Sequence, residues 1–89
     1  MADIINNEDF VNRTVADVIN ELSGYCFTGR IKSLVFRDGS VRVDIMRNKE
    51  FPMFTFYVEC GIDDLRHVVT EVLKNSDIWR TDFFELKKI

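Results

Sequence analysis

"SLVFRDGSVRVDIM", residues 33–46, decides the fold. Asp38-Gly39 sits between two runs rich in β-branched and apolar residues, the pattern of a β-hairpin. Leu34, Val35 and Phe36 are consecutive, so at least one large apolar side chain points away from the core. The register says which. A two-residue Asp-Gly turn pairs Phe36 with Val41 and Lys32 with Ile45. Arg30, Lys32 and Arg47 then share a face with Val41, Val43 and Ile45, and Ile31 and Val35 fall with Arg42, Asp44 and Met46. Neither face is clean. A three-residue loop, Arg37-Asp38-Gly39 with Gly39 left-handed in a G1 bulge, shifts the pairing by one. Phe27, Ile31, Val35, Val41, Val43 and Ile45 then share one face; Thr28, Arg30, Lys32, Leu34, Phe36, Arg42, Asp44 and Met46 share the other. A one-residue slip moves every side chain to the opposite face, so the segregating register is the expectation.

Outward from the hairpin, Asn7-Glu8-Asp9 reads as a helix start, a cap followed by acids at the positive end of the dipole. Val11, Val15, Val18, Ile19 and Leu22 then recur at helical spacing until Ser23-Gly24, which predicts a helix over 8–22. Tyr25 to Phe36 reads as one long strand and Ser40 to Met46 as the second. "RNKEFP" (47–52) is a polar connection ending in a proline at a strand edge. Met53 to Glu59 is the third strand, with Phe54, Phe56 and Val58 inward and Met53, Thr55, Tyr57 and Glu59 outward. After Cys60-Gly61, a second helix carries Leu65, Val68, Val69, Val72 and Leu73 on one face, Asp63 and Asp64 in its first turn and Asn75 as a cap. In the tail, Trp79, Phe83, Phe84 and Leu86 favour a fourth strand. The expectation is one α+β domain over residues 1–89, in the order α-β-β-β-α-β, with two helices packed on one face of a mostly antiparallel sheet.

The net charge of −3 is unevenly placed. Residues 1–25 balance to −4, residues 30–49 to +4 and residues 50–89 to −3, so a basic hairpin lies between acidic flanks. "MADIINNEDF" has neither the basic region nor the apolar stretch of a signal peptide, and no run is long enough to span a membrane. Two cysteines are too few for a disulfide scaffold. A cytoplasmic protein is expected.

Motifs for chemistry are thin. His67 is the single histidine and lies off the apolar stripe of its helix. Cys60, Asp63 and His67 can be drawn together, but the paired Cys or His spacings of zinc sites are missing. Cys26 and Cys60 fall at opposite ends of the first and third strands, too far apart for a bridge. Asp63-Asp64 is ordinary at a helix start, and the four glycines are isolated rather than clustered as a phosphate loop. No catalytic residue, metal site or cofactor is assigned, and an enzyme is not expected.

What remains is the outward sheet face. Arg30, Lys32, Leu34, Phe36, Arg42, Met46, Met53 and Tyr57 form the candidate binding set, an apolar patch ringed by cations, in residue types that interfaces favour. The expected function is a small non-catalytic binding protein, of the kind represented by inhibitors, immunity-like partners and accessory factors. It docks on another protein or on a second copy of itself. The alternative is an RNA- or DNA-binding domain: α-β-β-β-α is also the element order of double-stranded RNA-binding domains, and Phe36 or Tyr57 beside Arg and Lys suits base stacking. Against it stand the net negative charge and Asp63-Asp64, where phosphate binding calls for lysines.

Overall fold

A computed structural model describes residues 8–24, 26–27, 29–46, 50–76 and 86–87. Helix α1 (Glu8–Ser23) opens with Glu8 and Asp9 in its first turn. It ends where Gly24, at φ +76°, donates its N–H to Asn20 O at 2.9 Å; a left-handed residue closes a helix in this way, and glycine takes that conformation without a Cβ clash. Strands β1 (Cys26–Phe27), β2 (Arg30–Val35), β3 (Val41–Met46) and β4 (Pro52–Val58) follow. A 3-10 turn (Ile62–Asp64) then leads into α2 (Leu65–Lys74), and β5 (Leu86–Lys87) comes last. This is a small α+β fold.

The hairpin takes the three-residue loop. Val35 stands opposite Val41, Ile31 opposite Ile45 and Lys32 opposite Asp44. Phe36 O accepts from Gly39 N at 3.0 Å, Phe36 N donates to Ser40 O at 2.9 Å, and Gly39 sits at φ +91°. That is a tight turn followed by a left-handed bulge residue.

β2, β3 and β4 form an antiparallel sheet in chain order. α1 lies against β1 and β2, and α2 against β4. Between helices and sheet, one cluster holds Val11, Val15, Val18 and Ile19 of α1, Val41, Val43 and Ile45 of β3, Phe56 and Val58 of β4, and Leu65, Val69 and Leu73 of α2. Phe27, Ile31, Val35, Phe54, Val68 and Val72 pack around it, half-buried. The alternation of β3, buried then half-buried, is what a sheet covered on one side requires.

Four expectations need correction. The single strand over Tyr25–Phe36 is two strands: the chain bends at Gly29, β1 pairs with β5, and only β2 joins the main sheet. Phe27 N donates to Asn20 Oδ1 at 2.7 Å, so the end of α1 captures β1. The tail strand is β5, two residues long, and it extends β1 instead of adding to the three-stranded sheet. Leu22 is 38% exposed, because the last turn of α1 runs past the core. Met46 and Met53 do not stand free on the outward face. The β3–β4 register shifts between Ile45 and Met46, so that Met46 faces Pro52 and Met53 is the extra residue. Met46 is 5% exposed, and Met53 packs against the core. A bulge of this kind turns the strand and breaks the strict alternation on which the expectation rested. Tyr25, Thr28, Trp79, Phe83 and Phe84 lie outside the described residues.

Candidate docking face

The meander places side chains on its outward face in rows. Leu34, Arg42 and Tyr57 stand side by side across β2, β3 and β4, and Lys32, Asp44 and Thr55 form the next row. Neighbouring strands are about 4.8 Å apart and successive rows about 6.8 Å. Phe36 adds a ring toward the turn, and Arg30 continues the line of β2 at the far end. Leu34 is 50% exposed, Tyr57 61% and Phe36 39%. Arg30 and Lys32 are exposed as well.

Asp44 is tied down inside this face. Its Oδ1 accepts from Thr55 Oγ1 at 2.6 Å and from Arg42 Nε at 3.2 Å. The carboxylate is the more buried partner of the ion pair, with a fifth of its side chain accessible against two-fifths for Arg42. One acid thus satisfies one hydroxyl and one cation within the sheet. Among the described residues, Arg30 and Lys32 have no carboxylate partner, and they remain available for charges on another molecule.

Six of the eight residues singled out by sequence therefore share one accessible face: Arg30, Lys32, Leu34, Phe36, Arg42 and Tyr57. Met46 and Met53 do not join them. Sequence reasoning passed over the Asp44–Thr55 bond, whose signal was present: both residues alternate outward on consecutive strands of the meander. It also missed a depression of about 230 Å³ lined by Phe10, Arg13, Thr14, Asp17, Ile62 and Arg66. These residues come from α1, from the turn into α2 and from α2 itself, which no spacing rule connects. Its charges are mixed, and Arg66 Nη2 is already 2.8 Å from Glu21 Oε2.

Elsewhere the chemistry is sparse. Among the described residues no three His, Cys, Asp or Glu side chains come together in a way that could hold a metal ion, and His67 is exposed. Cys60 is a free, half-buried thiol beside the core. Burial pushes its pKa up, and the charge of Asp64 adds to the effect, which is the opposite of what an activated nucleophile needs. Asp63 and Asp64 are exposed at the entry to α2, presenting negative charge to solvent. No described helix is long and apolar enough to cross a membrane. Compared with models of protein families, with curated proteins and with solved structures, the chain matches none.

Proposed function

We propose that this is a non-catalytic, cytosolic binding protein, of inhibitor or accessory-factor kind, that docks on another protein through the outward face of β2, β3 and β4. One observation carries the reading: Leu34, Phe36 and Tyr57 are all substantially exposed on a single face whose rim holds Arg30 and Lys32, which have no carboxylate partner among the described residues. Isolated exposed apolar residues are ordinary; three large ones gathered beside cations are the composition of an interface centre with its polar rim. The three strands hold these side chains on rigid backbone, so little ordering is left for association to impose. The fitting partner offers an apolar surface bordered by carboxylates.

The test is capture from native extract by the immobilised protein, followed by titration of the purified captured protein by calorimetry. Leu34→Ser/Phe36→Ser is expected to weaken binding at least about tenfold, roughly 1.4 kcal/mol, because anchor residues dominate interface energetics. The variant should keep its fold, since both residues face solvent. An unchanged affinity in a folded double variant removes this face as the site.

A further inference from the structure

The sheet has two edges, β2 and β4, and they are defended differently. β2, "RIKSLV", carries Arg30 and Lys32, the kind of charge that keeps an open edge from pairing. β4, "PMFTFYV", carries no charge at all; Pro52 and the register shift beside it guard only its first two residues.

The backbone groups left open on β4 follow from the turn. Phe36 donates to Ser40 O, so Phe36–Ser40 is a hydrogen-bonded pair. Alternation along an antiparallel ladder then turns the backbone groups of Val41, Val43 and Ile45 toward β4, and those of their partners Val58, Phe56 and Phe54 toward β3. The N–H and C=O of Thr55 and Tyr57 therefore point out of the sheet. Among the described residues no strand pairs with them.

We infer that β4 pairs antiparallel with β4 of a second copy about a two-fold axis at Phe56, joining two three-stranded sheets into one of six strands. In this register Thr55 of each copy meets Tyr57 of the other, and their four outward N–H groups find four outward carbonyls. Phe56 meets its own copy and Phe54 meets Val58, all on the helix side. Thr55 and Tyr57 adjoin on the outward side. Glu59 falls opposite Met53, so no like charges are set against each other. The same operation on β2 either opposes Lys32 to Lys32 or lines Arg30 and Lys32 along the seam. A two-fold perpendicular to the sheet leaves both docking faces on the same side, so the dimer is bivalent for a partner. The pairing does not depend on what that face binds.

Light scattering over a roughly hundredfold concentration range, combined with amide hydrogen exchange at both ends of the range, tests the pairing. A five-residue seam is a small interface, so association is expected near 100 µM and is reversed by dilution. The mass should rise from one chain to two. The Thr55 and Tyr57 amides should then exchange at least about tenfold more slowly, while those of Ile31, Ser33 and Val35 on the β2 edge stay unchanged. Tyr57→Pro removes an outward donor that β3 does not use, and it should remain a single chain throughout. A wild-type mass of one chain at every concentration overturns the inference. So does a dimer whose protection lies elsewhere, or a folded Tyr57→Pro variant that still dimerises. If that variant does not fold, the wild-type exchange pattern alone decides. Tyr57 also stands on the docking face, so partner binding is read from Leu34→Ser/Phe36→Ser, which leaves β4 unchanged, and the dimer from the mass and exchange pattern.

Discussion

Gly39 shows how much a single residue can hold. At φ +91° it occupies backbone space that costs an L side chain about 1–2 kcal/mol, and the three-residue loop depends on it. Gly39→Ala should lower stability by about that amount in urea denaturation. Asp38 supports the same turn by accepting from Ser40 Oγ at 2.6 Å and Ser40 N at 2.9 Å, and these bonds hold its carboxyl below the ordinary range. Its contribution is therefore present above the ordinary carboxylate pKa and lost as pH falls through the lowered folded value. Cys60 has the opposite sign. Burial first, and Asp64 second, raise its thiol pKa, so its contribution is complete below the unfolded thiol value of about 8.5 and is lost as pH rises through the folded one. Unfolding free energy should decline with rising alkalinity, and Cys60→Ser should flatten that slope. The correction at Met46 is testable in the same way. Met46→Ala should cost about 2–5 kcal/mol, whereas Leu34→Ala on the exposed part of the face should stay within about 1 kcal/mol.

Among the elements, α1 is the one that organises the rest. Its apolar stripe shares one core cluster with Val41, Val43 and Ile45 of β3, while two asparagines bond the strands it lies against: Asn20 Oδ1 accepts from Phe27 N, and Asn12 Oδ1 accepts from Ser33 Oγ at 2.8 Å. Ser33 is the polar residue in the inward series of β2, and its hydroxyl meets the helix where an aliphatic side chain otherwise stands. Asn20→Ala removes the Oδ1 that accepts from the Phe27 amide and is expected to cost about 1 kcal/mol. Faster exchange of that amide, with the α1 amides unchanged, would place the loss at β1. If Phe27 exchange does not change, Asn20 does not hold the strand. The exposed Arg66–Glu21 pair between α1 and α2 contributes little by comparison, about 0–1 kcal/mol.

At the scale of the whole molecule, the charge asymmetry gains a direction. The basic hairpin turns Arg30 and Lys32 toward the same side as Leu34 and Tyr57, so reversing both charges should slow association with an acidic-rimmed partner by about tenfold at low salt. That effect should fade at high ionic strength while the unfolding midpoint barely moves, which stopped-flow kinetics and denaturation would show together. Both helices, the three-stranded meander, the bulged turn and most of the outward face were legible in the sequence, because each rests on local periodicity or on one glycine. Alternation over residues 31–45 admits a single register that buries an apolar face, and that alone placed Leu34, Phe36 and Arg42 outside. Three features were decided only by tertiary structure. Met46 and Met53 left the exposed set because a register shift depends on how two strands meet, which neither strand encodes alone. β1 left the main sheet because Asn20, on the preceding helix, and β5, far along the chain, supplied its partners. The edge of β4 is open among the described residues because the three-stranded meander ends there, and strand order is set by long-range packing of two helices over one face rather than by any pattern within the strand.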